Sequence, residues 1–295
     1  MRATPVSRDK GRGQSPIGGM QNIRIICLDL DGTLLDNQKR ISKRNARALQ
    51  AAADAGIEIV PTTGRFYLGI PEQIRNLPFI HYAITINGAC VYDVMNSREI
   101  VRIEIPADEA VSIMEHFDTL DVMYDCFLDS WGYMNTSWQE HPEKYSPDPA
   151  YTDVFKKLRS PVPELKEFVR ASGKNIQKVQ FWCRDLSIRD KELKLLPKLF
   201  TNVAVSSAIY NNVEVNNVNA HKGEALRRLC EYTDTDPSEV MAIGDGSNDL
   251  SMLEAAGTAV AMGNAVAPVL AAANIVTDTN EADGVAKTIE QLLGI

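Results

Sequence analysis

Apolar positions change their spacing in a regular order along this chain. The stretch I-R-I-I-C-L-D-L-D-G-T-L-L-D, Ile23 to Asp36, carries an apolar run from Ile25 to Leu28, then two carboxylates, Asp29 and Asp31, with glycine and threonine directly after. A short apolar run closed by turn residues suits a strand buried on both faces. Residues two apart in an extended segment share a side, so Asp29 and Asp31 are expected to project together from the strand's C-terminal end. In open α/β sheets ligands bind at that end, and a cation would keep two neighbouring carboxylates charged. Taken alone, the stretch reads equally well as a capped turn, since Asp and Gly are ordinary turn residues.

The pattern downstream alternates. Ser42 can cap a helix carrying Ala46, Leu49 and Ala53, which Gly56 stops. A short strand, Ile57 to Pro61, runs into T-T-G-R at Thr62 to Arg65. A helix is expected near Gly69 to Asn76, then a strand at Ala83 to Ile86 ending in N-G-A, then a hairpin from Val91–Tyr92 and Glu99 to Ile105. Near Pro106 the texture changes. Helical spacing covers Asp108 to Leu120, Glu164 to Ala171 and Ile188 to Phe200. Strand-like pieces cover Val122 to Leu128, Trp131 to Met134, Ile176 to Cys183, Val203 to Ser206 and Val213 to Val215. Proline-rich Gln139 to Pro161 reads as a long loop. The first pattern resumes with a helix from Lys222, a strand at Val240 to Ile243 ending in G-D-G-S-N-D, a helix at Leu250 to Ala256, a strand at Ala259 to Met262, a helix at Val266 to Ala273, a short strand at Ile275 to Val276 and a closing helix at Val285 to Leu293. Strands alternating with helices predict a parallel sheet with right-handed crossovers, and the middle segment an α+β insertion.

Composition narrows the function without naming it. The 295 residues are 44% hydrophobic and 24% charged, the balance of a globular protein, and no stretch approaches a membrane span. A net charge of -8 argues against a general nucleic-acid surface. Five scattered cysteines fit neither a zinc spacing nor a disulfide framework, so a reducing cytoplasm is expected. Residues 1–19 carry Arg2, Arg8, Lys10 and Arg12 among Gly and Pro with no apolar core. They read as a disordered extension with Met20 as the functional start, and their deletion should leave activity unchanged.

Four polar clusters stand at strand ends or helix starts: D-L-D-G-T, T-T-G-R, H-K-G and G-D-G-S-N-D. If three strands are neighbours, three of these clusters meet above one sheet edge. Three acidic groups without a Cys/His set suit a hard, oxygen-liganded ion, Mg²⁺. A lysine, a hydroxyl and helix N-termini suit a phosphate. Phosphoryl transfer follows, with a carboxylate available as nucleophile. Thr63 can equally cap the next helix, Asp249 suits a first helical turn, and His221 reads as a bystander. Arg65 is either a surface residue or a substrate contact. Met252 and Met262 read as core, and Tyr124, Trp131, Tyr133 and Trp138 read as core of the insertion or as a substrate face.

These four clusters, in this order, resemble the four motifs of the haloacid dehalogenase superfamily of phosphatases. A-M-G-N-A at Ala261 to Ala265 and E-A-D-G-V-A at Glu281 to Ala286 resemble its Cof-type members, and the position of the insertion resembles their type IIB cap. The resemblance implies a Rossmann-like α/β core at 20–106 and 213–295 and a cap at 107–212. It implies that Asp29 attacks phosphorus and that Asp31 serves as acid and base. The side chains of Asp29 and Asp245 with the Asp31 carbonyl would hold Mg²⁺. Thr63, supported by Gly64, and Lys222 would bind the phosphoryl group, and Asn248 and Asp249 would orient the ion's shell or the lysine. An aspartate at position 31 marks a phosphatase or a mutase. The expected activity is hydrolysis of a small phosphorylated metabolite. The alternatives are a sugar-phosphate mutase and a non-catalytic phosphate-binding regulator. Relatives handle sugar phosphates, pyridoxal phosphate and flavin mononucleotide, so the substrate is not implied.

Overall fold

The computed structural model describes residues 22–146 and 149–295. The extension at 1–19 and the start at Met20 lie outside the described residues. The first part contains β1 (Ile25–Leu28), α1 (Lys43–Asp54), β2 (Glu58–Pro61), α2 (Glu72–Arg75), β3 (Tyr82–Thr85), β4 (Cys90–Asp93) and β5 (Arg98–Arg102). The insertion contains α3 (Ala107–Phe117), β6 (Val122–Leu128), β7 (Trp131–Asn135), α4 (Thr136–Glu140), α5 (Pro149–Leu158), β8 (Arg159–Val162), α6 (Leu165–Ser172), β9 (Lys178–Cys183), α7 (Leu186–Leu199), β10 (Val203–Ser206) and β11 (Asn212–Asn217). The last part contains α8 (Lys222–Thr233), β12 (Val240–Gly244), α9 (Leu250–Ala255), β13 (Thr258–Ala261), α10 (Ala267–Ala272), β14 (Ile275–Val276) and α11 (Gly284–Leu293).

Five parallel strands in the order β14-β13-β12-β1-β2 form the core sheet. Alternation along β1 feeds both faces. Ile26 and Leu28 pack with Leu49 of α1 and Ile289 of α11. Ile25 and Cys27 pack with Leu226 of α8 and Met252 of α9 on the other side. Burial on both faces is why this strand reads as a continuous apolar run. Ser42 caps α1 by accepting the Asn45 amide at 3.0 Å, and the buried side of that helix is Asn45, Ala48, Leu49 and Ala52; Ala46 and Ala53 flank it.

The strand expected after T-T-G-R extends the parallel direction only through a bridge from Thr62 to Ile84, then heads a separate antiparallel sheet, β3-β4-β5. The inserted sheet runs β10-β11-β9-β6-β7-β8, with α3, α6 and α7 over one face. Two sequence expectations fail here. The segment expected as a loop holds α5 and β8; α5 begins at Pro149, and proline is tolerated in a first helical turn because its missing N–H has no partner there anyway. The boundary expected at 213 falls inside β11, which pairs with β9 and β10, so the chain leaves the inserted sheet only after Asn217. No helix among the described residues is long and apolar enough to cross a membrane.

Candidate active site

Strands β2, β1 and β12 are neighbours, and their C-terminal ends bring three of the four clusters together. The Asp29 amide still donates to the Ile243 carbonyl at 3.0 Å, so Asp29 continues the strand by one residue. The chain then turns: the Leu35 amide bonds the Leu30 carbonyl at 2.9 Å, and Gly32 takes φ +92°. A side chain at Gly32 would start 2.4 Å from Asp245 Oδ2, so only glycine lets the two loops approach this closely. Thr33 Oγ1 donates to Asp245 Oδ1 at 2.8 Å and ties the loops together.

Lys222, the first residue of α8 and fully buried, donates to Asp29 Oδ1 at 2.6 Å and to Asp249 Oδ1 at 2.5 Å. A helix N-terminus disfavours a cation, so the two carboxylates are what hold this ammonium in place. Burial alone would depress the Lys222 pKa, but Asp249 and Asp29 outweigh it and raise it. Asp249 Oδ2 accepts the Asp245 and Gly246 amides at 2.9 and 2.8 Å. Asp249 therefore fixes both the lysine and the loop that carries Asp245. One oxygen thus serves the lysine and the other the loop.

Carboxylate oxygens of Asp29, Asp245 and Asp249 lie within 4.8 Å of one another. Burial raises the Asp29 pKa well above the carboxylate range and pushes that of Asp245 up to about 6. Asp29 and Asp245 each keep an oxygen that none of the bonds above uses. Three carboxylates against one ammonium leave net negative charge in a nearly dry site. With oxygen donors only, that charge fits a small hard cation.

Asp31 has partners of its own. The chain leaves the extended conformation at Leu30, and the carboxylate of Asp31 is not one of the acidic trio. Arg65 grips it instead through two parallel bonds, Nε to Oδ2 at 2.8 Å and a terminal nitrogen to Oδ1 at 2.9 Å, and Lys39 adds an ion pair at 2.7 Å. Burial pushes the Asp31 carboxyl up, but Arg65 and Lys39 more than offset it and hold it well below the usual carboxylate range. Thr63 is buried, and its hydroxyl accepts the Arg65 amide at 3.2 Å; no regular helix follows directly for it to cap.

A family model described as haloacid dehalogenase-like hydrolase matches residues 26–289. The chain belongs to the haloacid dehalogenase-like hydrolases. Within that family it is a phosphatase. It is 31% identical over 268 residues to a 5-amino-6-(5-phospho-D-ribitylamino)uracil phosphatase of Bacillus subtilis, covering 91% of this chain and 95% of the relative. It is 28% identical over 281 residues to a pyridoxal phosphate phosphatase of Escherichia coli, covering 90% and 97%. The solved fold of a subclass IIB sugar phosphatase superposes with a TM-score of 0.78 at 23% identity, covering 92% of this chain and all of the other.

The hydrolase's cap adds residues at the rim that no motif marks. Lys178 of β9 donates to the Gly64 carbonyl and to Glu214 Oε1, both at 3.0 Å. Asn87, at φ +58° in the N-G-A turn, donates to Glu214 Oε2 at 2.6 Å and to Asn216 Oδ1 at 3.2 Å. Asn248 reaches Asn87 Oδ1 at 3.4 Å rather than Lys222. Gly64 has no room for a side chain, because Asn87 Oδ1 would lie 2.7 Å from its Cβ. His221 caps α8, its Nδ1 accepting the Glu224 amide at 3.1 Å, and burial lowers its pKa. Tyr124, Tyr133 and Trp138 pack in or against the cap core, whereas Trp131 stacks edge-on with Phe66 between the two bodies. Met252 and Met262 are core.

Proposed function

We propose that this phosphatase hydrolyses the phosphate monoester of a small metabolite through an aspartyl-phosphate on Asp29, with Mg²⁺ as cofactor and the cytoplasm as its compartment. The observation that carries the reading is Lys222 locked between Asp29 and Asp249, with Asp245 beside them. The Asp29 and Asp245 side chains, with the Asp31 carbonyl, would hold the ion. When bound, the ion offsets negative charge on the phosphoryl oxygens and the attacking carboxylate. An Asp29 oxygen forms the bond to phosphorus as the bond to the leaving oxygen breaks; Asp31, once it has released Arg65 and Lys39 and taken up a proton from water, passes that proton to the leaving oxygen. Asp31 then takes a proton from water, whose oxygen attacks phosphorus and frees phosphate and Asp29. The ion pair with Arg65 holds Asp31 in the ionised form that this second step needs. Lys222 neutralises Asp29 and the transferring group, and Thr63 donates to a phosphoryl oxygen. Gly64 carries the close turn beside it. Asn248 and Asp249 keep the loop and the lysine in place. The inserted cap closes over the site and excludes water.

The test is phosphate release from a panel of phosphorylated metabolites, ranked by kcat/KM with Mg²⁺. Asp29→Asn should abolish release and EDTA should stop it. Normal turnover in either case removes the nucleophile or the ion from this scheme. Isomer formation without phosphate release would instead identify a mutase.

A further inference from the structure

Directly after β3 the backbone takes positive φ at three consecutive buried residues: Ile86 at 54°, Asn87 at 58° and Gly88 at 98°. Glycine adopts that region freely and asparagine tolerates it, but a β-branched isoleucine enters it only against steric resistance. Such a turn persists only where its surroundings over-determine it.

The surroundings come from both bodies. On the core side, the Arg65 carbonyl accepts the Ile86 amide at 2.8 Å, and the Thr63 carbonyl accepts the Asn87 amide at 3.1 Å. A Cβ on Gly88 would lie 2.4 Å from the His221 carbonyl, so the turn also leans on the residue before Lys222. On the cap side, Asn216 Nδ2 donates to the Ile86 carbonyl at 3.3 Å, and Asn87 Nδ2 donates to Glu214 and Asn216. Phe127 of β6 packs with Ile86 in the apolar cluster that the two bodies share. Glu214, Asn216 and Phe127 all travel with the cap. When they leave, the turn loses half of what holds it. A return of Ile86 to negative φ would then draw the two amides off the Arg65 and Thr63 carbonyls. Asn87 spends its side-chain nitrogen on the cap and its oxygen on Asn248, so it acts on the reaction through the T-T-G-R loop and not by touching the ester.

We propose that Asn87 is a positioning residue that couples the seating of the cap to the T-T-G-R loop. With the cap seated, Glu214 and Asn216 hold the turn in its strained form, and the turn fixes the backbone that aims the Thr63 hydroxyl at the phosphoryl group and the Arg65 guanidinium at Asp31. The proposal rests on the phosphomonoesterase reading above.

The experiment measures kcat, KM and melting temperature in the full-length enzyme with Mg²⁺, on the phosphorylated metabolite that wild type turns over best. Asn87→Gly removes both cap bonds while glycine keeps the positive φ without strain. It should lower kcat by about tenfold or more. KM should stay within about threefold, because no substrate contact is lost. Asn87→Asp sets two carboxylates face to face, and Glu214→Gln leaves one donor without an acceptor, so each should also lose kcat. The reciprocal pair Asn87→Asp/Glu214→Gln reverses the bond: the new carboxylate accepts from the new amide, whose oxygen still accepts from Lys178. It should recover most of the lost kcat. Wild-type kcat in Asn87→Gly overturns the proposal, as does a reciprocal pair no better than its single variants or a loss of kcat that only follows a loss of melting temperature. If Asn87→Gly does not fold, the reciprocal pair and its single variants decide alone. A wild type inert toward every ester overturns the phosphomonoesterase reading itself, so the two failures are told apart.

Discussion

Lys222 decides the electrostatics of the site. Among the described residues it is the one ammonium bonded to Asp29 and Asp249, and it has no exposed surface. Replacing it with methionine keeps the length of the side chain but leaves two buried carboxylates facing each other. Removing one partner of a buried charge network costs about 3–5 kcal/mol, less whatever Asp29 recovers by taking up a proton. Lys222→Met should therefore melt earlier and lose turnover, and Lys222→Arg should recover stability better than activity, because a guanidinium cannot bring one small charge to both oxygens. Thermal melting and phosphate release measured side by side check this. A methionine variant with wild-type stability would mean that the acidic trio does not need the lysine.

At the scale of elements, position follows from how α8 meets α9. A Cβ on Gly223 would lie 2.1 Å from the Ser251 carbonyl, and the Gly223 amide bonds Ser251 Oγ at 3.2 Å. Gly223→Ala should push α8 away, at about 1–3 kcal/mol for overpacking, and carry Lys222 out of register with Asp29. Both kcat and denaturation midpoint should fall; a change in stability alone would show that α9 yields and α8 does not. The core elements were legible in the sequence because a strand buried on both faces leaves an unbroken apolar run, and because each run ended in polar residues with no structural use elsewhere. The rim was not. Leu30 turns into the core, and the partners of Asp31, Arg65 and Lys39, come from loops that its own stretch does not reveal. Lys178 and Glu214 sit on strands whose alternation is that of any half-solvated sheet, and nothing in the local sequence says that the polar face is covered. Arg65 was ambiguous for the same reason: its partner, Asp31, lies on another loop.

The whole molecule has two bodies with separate apolar cores and a small shared cluster, in which Phe66, Ile86 and Ala89 meet Phe127 of the cap. An ion held by Asp29 and Asp245 belongs to the parallel-sheet body alone, since both ligands sit at the ends of β1 and β12. Binding to the folded state stabilises by mass action, so Mg²⁺ at roughly a hundred times its dissociation constant should add about 2.7 kcal/mol. For a body of this size that raises the melting temperature by roughly 5–10 °C. Calorimetry should show this shift in the transition of the parallel-sheet body, with little change in any separate cap transition. Asp245→Asn should remove it, because one carboxylate and a carbonyl hold a hard divalent ion poorly. Na⁺ at matched ionic strength should not reproduce it, which separates a bound ion from screening of the net charge of -8. An equal shift in Asp245→Asn would move the ion elsewhere and leave the acidic trio as a proton-sharing cluster only.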